Sequence, residues 1–546
     1  MNRDHYKYVC MDFIKIENDV LHIVGTNLFS RPSENVEICL KVNGDYIPAT
    51  MQNRSHNVQF FNEIIKAEWG FTAKIPISEH IKKFVIEIHC QPSKDKAFMC
   101  YLEMGKFFPI NTRIRHSYYY RNGKKLTTDG RALYLDRCSW FGHIKAELKF
   151  MLELWKAQTF GSKNAILFRA AFYFFQLFLR KKIWIICDRP NRADDNGEAF
   201  FRYLRTKSEP KICPIFVINK NSTDYNRIKK LGITISPDSL CYKLVYLLSD
   251  KIIIAYYVSK FLNPFKDMTV SHYYYRDLCA KRETIFLGHG IINSDLTSFF
   301  KKCITNFNLF ITTTVAERKS ILELPYGYTD KEVILSGLPR YDLLYDDSKN
   351  VITIMPTWRK YLIEMSTDLI SSLLDGFDKT TYFRFYSDLL NNPTLLNMVK
   401  EYGYKLCFVP HPVIAPHSNI FNLPDSVTML SGDNLSYRKV FAESSLLITD
   451  YSSVAFDFVY LRKPLLYCHF DYVEFREKHH QDGYFDYSRD GFGEVETNLE
   501  DTVCRIVEYM KNGCKLKDKY RLRIDNTFPF NDKNNCERVY SAIKAL

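Results

Sequence analysis

After Lys182 the chain settles into one rhythm, and that rhythm restricts its fold more than anything else in it. Short apolar runs rich in β-branched residues alternate with polar stretches of helical character. The runs are Ile183–Cys187, Ile212–Ile218, Lys251–Tyr257 and Thr284–Leu287. A second series follows a break near Asp346–Asn350: Val351–Met355, Lys405–Val409, Ser426–Leu430, Leu446–Thr449 and Pro464–Tyr467. Strands that are apolar along their whole length are buried on both faces, the condition of a parallel sheet covered by helices. The pattern predicts an α/β fold of two doubly wound, Rossmann-like domains facing a cleft, over 183–345 and 346–546. A chain of 546 residues is also too long for one ordinary core.

The first third reads differently. Val36–Val42 and Phe84–Cys90 alternate apolar and polar residues, the period of half-buried strands, so a small β-sandwich-like domain is expected over 1–110. Nothing in it looks catalytic; it is either an accessory module or a passive one. Over 140–182 the text becomes helical. Ile144, Leu148, Met151, Leu152 and Trp155 fall on one face. Asn164–Lys182 is aromatic and apolar but carries Arg169 and Gln176, and its body Asn164–Leu179 is short for a bilayer span. Lys156, Lys163, Arg180, Lys181 and Lys182 flank it. Two readings stand: an in-plane helix on an anionic membrane surface, or a helix buried between domains.

The net charge of +13 favours anionic partners. No zinc-knuckle spacing or RNP-like motif accompanies it, so nucleic acid is not expected among them. The 15 cysteines include no CxxC pair, and the polar opening MNRDHYKYVC does not read as a signal peptide; free thiols in a reducing cytoplasm are expected.

Several residues suit phosphate chemistry. In Ser444–Tyr467 a buried strand runs into the polar loop Asp450–Ser453 and then a helix. Ser452 and Ser453 can hold a phosphate there, or the loop is a helix N-cap with Asp450 or Ser452 as the capping oxygen. His289 ends a strand between Gly288 and Gly290, where an imidazole can take a proton from a hydroxyl nucleophile. His411, followed by Pro412, has the same placement. Arg359 and, more weakly, Arg340 offer guanidinium forks to phosphate oxygens. Asp450 and Asp457 would repel phosphate, so capping or orienting roles fit them better. No DxD-like pair or His/Cys cluster marks a metal site.

Six motifs stand in order: LGHG at 287, GLPRYD at 337, PTWR at 356, VPHP at 409, the DYSS loop at 450 and GYFDY at 483. With Asp188–Leu204 and the stretch ending at Val495, they resemble the CDP-glycerol:poly(glycerophosphate) glycerophosphotransferase family, the teichoic-acid and capsule polymerases. The resemblance runs from about Lys182 to the C-terminus. It implies a GT-B-like fold with the donor held mainly by the second domain, His289 as base, and His411 facing the donor pyrophosphate. Arg359, Ser452, Ser453 and Arg340 would hold phosphate, with Gly288, Gly290, Pro412 and Asp450 in support.

The implied reaction moves glycerol phosphate or ribitol phosphate from CDP-glycerol or CDP-ribitol to a lipid-linked anionic polyol-phosphate acceptor. CMP leaves, and the enzyme sits peripherally on the cytoplasmic face of the plasma membrane. No cofactor is obligatory in this reading, with magnesium on the pyrophosphate left open. The alternatives are a GT-B glycosyltransferase using a nucleotide sugar, and a non-catalytic membrane scaffold. Oligomeric state is not legible.

Overall fold

The computed structural model describes residues 8–17, 19–27, 36–60, 63–77, 83–92, 98–257, 264–265, 271–365, 371–432, 435–479 and 482–546. Two β-sheets come first. The five-stranded sheet runs, in spatial order, Thr50–Phe60, Glu63–Pro76, Val20–Asn27, Tyr8–Glu17 and Tyr101–Met104. The second is built on Lys83–Pro92, paired with Val36–Val42 on one side and Ala132–Arg137 on the other. Leu21, Ile23 and Phe71 of one sheet share a core with Ile38, Leu40, Ile86 and Leu133 of the other. The β region therefore runs past residue 110, the limit expected from sequence. Strand Ala132–Arg137 pairs Leu133 with Ile86 and Leu135 with Phe84, and buries both leucines.

Two helices lead into the α/β part: α1 (Trp140–Lys156), capped by Ser139, and α2 (Phe160–Phe178), opened by a Thr159–Ser162 capping box. Each buries one narrow face, Glu147, Phe150 and Leu154 on α1 and Ala165, Arg169 and Phe172 on α2. Arg169 is wholly buried and forks to Glu147 (2.5 and 2.6 Å) and Asp277 (2.8 and 2.6 Å).

The first parallel sheet has seven strands in the spatial order Thr234–Ile235, Ile212–Val217, Lys182–Cys187, Lys251–Ile254, Glu283–Phe286, Leu309–Thr312 and Val333–Leu335. The second has six: Val427–Met429, Lys405–Phe408, Val351–Ile354, Leu446–Thr449, Leu465–Cys468 and Gly493–Glu496. In both, the order reverses beside the first strand, the doubly wound arrangement that opens a crevice at the strand C-terminal ends. The final helix, Asn535–Ala545, leaves the second domain. Its Cys536, Val539, Tyr540 and Ile543 pack with Trp184, Ile186 and Phe200 of the first. The second unit therefore does not hold the whole of 346–546.

Candidate functional site

Leu287 follows its strand fully buried, and Gly288 then turns the chain at φ +78°, a left-handed conformation that favours glycine. The turn delivers His289 to the cleft with its side chain about half exposed (45%). Asn196, buried at the start of helix α3 (Asn196–Lys207), donates to Gly288 O at 2.8 Å and accepts from Arg340 N at 3.0 Å. Glu317 accepts from Ile292 N at 2.8 Å, pinning the loop from its far side.

Both ring nitrogens of His289 are engaged. Arg189 Nη2 stands 2.5 Å from Nε2, and Asp195 Oδ2 stands 2.5 Å from Nδ1. A guanidinium can only donate, so Nε2 carries the lone pair and Nδ1–H donates to Asp195. Burial works to raise the Asp195 pKa, but Arg340, His289 and Arg189 outweigh it and hold the carboxyl well below the usual range. Asp195 is thus a carboxylate fixing the tautomer and aim of the ring, the arrangement in which an imidazole serves as base.

Arg340 is not placed as a phosphate ligand. Its Nη1 donates to Asp195 Oδ1 (2.6 Å) and His289 O (2.7 Å). Its Nε and Nη2 fork onto Asp457 (2.5 and 2.9 Å), on helix Val454–Val459 of the second domain. The side chain bridges the domains behind His289. Arg359 also departs from expectation. It is fully buried, with Nε and Nη2 on Asp471 (2.7 and 3.0 Å) and Nη1 on Thr357 O (2.9 Å) and Asp450 (3.0 Å). A guanidinium spent on two buried carboxylates has no face left for a ligand, so the PTWR arginine braces the loop instead.

Asp450 braces from the other side, accepting from Thr357 N (2.9 Å), Tyr451 N (2.7 Å) and Tyr386 Oη (3.1 Å). Ser452 Oγ accepts from Val454 N at 3.3 Å, while Ser453 makes no capping hydrogen bond among the described residues. Ser453 meets the first domain: a Cβ added at Gly290 would lie 2.6 Å from its Oγ. The absence of a side chain at Gly290 is what lets the two loops touch.

His411 completes the cleft. Burial first, then Arg189 and His289, push its pKa down to about 3. Its ring lies nearly parallel to Trp358, with centroids 5.8 Å apart. Nδ1 accepts from Val413 N at 3.3 Å, so the neutral ring carries its proton on Nε2. Pro412 and Pro410, with Arg192, Pro416, Gly432 and Leu435, line an adjoining cavity of about 340 Å³. The structure brings His289, His411, Gly290 and Ser453 to one cleft and puts Arg359 and Arg340, both expected on phosphate, in bracing roles; sequence assigned no role to Arg189 or Asp195. Their sequence signal was membership of Asp188–Leu204, the charged stretch that shares in the family resemblance.

The model of the CDP-glycerol:poly(glycerophosphate) glycerophosphotransferase family matches residues 168–545, more than half of the chain. The chain belongs to this family. The minor teichoic acid biosynthesis protein GgaB of Bacillus subtilis (strain 168) is 32% identical over 548 residues, covering 98% of this chain. The match spans 59% of that relative's own length. A teichoic acid poly(glycerol phosphate) polymerase of the same organism is 27% identical over 233 residues, 39% of this chain and 29% of the polymerase. Among solved structures, a histidine variant of the wall teichoic acid polymerase TagF aligns with a TM-score of 0.51. It is 14% identical and covers 75% of this chain and 98% of that one. At that identity the match shows the shared fold.

Proposed function

We propose that this chain moves glycerol phosphate or ribitol phosphate from a CDP-polyol to a polyol hydroxyl of a growing teichoic-acid or capsular polymer, releasing CMP. One observation carries the reading: His289, backed by Asp195, shares a cleft with His411 and Ser453 of the other domain. Family membership supplies the donor class. The acceptor hydroxyl attacks the distal phosphorus and its proton passes to His289 Nε2. A new P–O bond forms as the bond to CMP breaks, the electron pair leaving on CMP. Asp195 stabilises the imidazolium, and His411 Nε2–H donates to the leaving phosphate. The work is mainly positioning and charge neutralisation. Arg189, His411 and the serine loop are assigned that neutralisation, with no obligatory metal, so turnover in EDTA is expected to persist.

A donor screen tests the reading against a glycosyltransferase or a scaffold. CMP release from CDP-glycerol or CDP-ribitol in the presence of acceptor is expected. UDP release from a UDP-sugar, or no release from any donor, would reject it.

A second proposal concerns location. Trp140, Phe141, Leu148, Leu152 and Trp155 on α1, and Phe160, Leu167, Phe174, Leu177 and Phe178 on α2, are each more than half exposed. Exposed Lys145, Lys149, Lys156, Lys163, Arg180, Lys181 and Lys182 accompany them. Among the described residues no helix is long and apolar enough to cross a membrane. We infer that α1 and α2 lie in the plane of an anionic bilayer surface, the cytoplasmic face of the plasma membrane. Replacing Lys163, Arg180, Lys181 and Lys182 with Gln should weaken binding to phosphatidylglycerol vesicles, as should high salt. Binding indifferent to both would remove the electrostatic half of the proposal.

A further inference from the structure

We propose that Arg189 is a gate on the base: it covers the proton-accepting nitrogen of His289, and the donor diphosphate draws it away. The inference rests on the transferase reading above and adds an order of events to it. Arg189 lies in the loop after strand Lys182–Cys187, beside which the sheet order reverses. The loop is held by a paired backbone contact, Arg189 N to Arg192 O at 3.2 Å and Arg192 N to Arg189 O at 3.5 Å. From there Nη2 reaches His289 Nε2, while Nδ1 is held by Asp195. With both nitrogens engaged, no lone pair of the ring is open to an acceptor hydroxyl.

The cover is well supported and still exchangeable. The guanidinium lies over the Tyr256 ring at 5.3 Å, and Tyr256 meets the His289 ring edge-on at 5.4 Å, so cation and imidazole share one aromatic platform. The site of the contact is exposed, and the charge on Arg189 also reaches His411 across the cleft. A neutral imidazole is a weak partner for a guanidinium beside a diphosphate, which carries formal charge and offers paired oxygens to the fork. A diphosphate arriving at His411 therefore competes for Arg189 and wins. Nε2 is then bare, and Asp195, still bonded to Nδ1 and Arg340, keeps the ring aimed. The base becomes competent only once the donor is in place. Arg189 thus serves in turn as a cover on His289 and as a ligand of the diphosphate.

Diethyl pyrocarbonate tests the gate without requiring turnover. It acylates a bare imidazole nitrogen, releasing ethanol and carbon dioxide, and the modified peptide containing His289 can be counted by mass spectrometry. In the wild-type chain, CDP is expected to speed modification of His289 several-fold. Arg189→Ala and Arg189→Gln should both be modified faster than wild type without CDP, and respond little to it. A wild-type rate that CDP leaves unchanged or slows overturns the gate, and so do unaltered rates in two variants that melt normally. The wild-type arm needs no variant to fold. If CDP speeds modification yet no CDP-polyol is turned over, the gate stands and the transferase reading falls. If a CDP-polyol is turned over and CDP has no such effect, the gate alone falls.

Discussion

At His289 two contacts decide the chemistry: a cation on one nitrogen and a carboxylate on the other. Neither partner could be named from the motif, because Asp195 lies 94 positions upstream and only the fold brings it close. The histidines themselves were legible, since a strand end followed by glycine or proline tells where a side chain can meet a ligand. Arg359 was misleading for the converse reason. The tetrapeptide PTWR gives the residue type and the strand end, but not that Asp450 and Asp471 are waiting on the buried side. Burial also has a consequence for pH. His411 and His469 are both pushed down to about 3, by burial before any charge, from an ordinary value of 6.5. Between those values the unfolded chain binds more protons than the folded one, so stability falls as pH drops from 6.5 towards 3. Melting curves should show that decline. Replacing both histidines with Gln should flatten it, whereas an unchanged slope would place the acid sensitivity elsewhere.

Among the elements, most strands of the two parallel sheets were readable from their apolar runs and four were not. Thr234–Ile235, Val333–Leu335 and Gly493–Glu496 lie at sheet edges, partly exposed and without a continuous apolar run, whereas Leu309–Thr312 is fully buried inside its sheet in a run of only three apolar residues. Helix α1 carries apolar residues on more than one face. The stripe containing Leu148, Leu152 and Trp155 faces outward, and Phe150 and Leu154 face the core beside Glu147. A glutamate on the inner face hides it from a hydrophobic count; it is tolerated because Arg169 forks onto it. Arg169→Ala would leave Glu147 and Asp277 buried without their cation, at a cost of about 3–5 kcal/mol. Chemical denaturation should register that loss, with α1 and α2 cut first in limited proteolysis; a variant as stable as wild type would mean the cluster does not anchor the helices. The serine loop gives a second test. Ser452 makes only a 3.3 Å turn contact, so Ser452→Ala with Ser453→Ala should leave melting close to wild type. If both hold the diphosphate, calorimetric titration should show the CDP-glycerol dissociation constant rising by more than about tenfold. A lowered melting point with unchanged affinity would return the loop to helix capping.

Across the whole molecule, the two sheets each aim the crevice beside their first strand at the other domain, and several features join the domains. Arg340 ties Asp195 of the first domain to Asp457 of the second. Gly290 admits Ser453, and the last helix returns to the first domain. The two-domain plan follows from strand spacing alone; the joining does not, because it depends on single long-range contacts and on a terminal helix whose apolar face fits either domain. The base assignment runs through these contacts, since Arg340 holds both Asp195 and the His289 carbonyl. Transfer of labelled polyol phosphate from CDP-glycerol or CDP-ribitol into an acid-precipitable polymer, by wild type and His289→Ala side by side, tests the account most directly. Label is expected in the polymer with wild type, and a loss of about 100-fold or more in a folded His289→Ala that still binds donor. Near-normal transfer by that variant would contradict it.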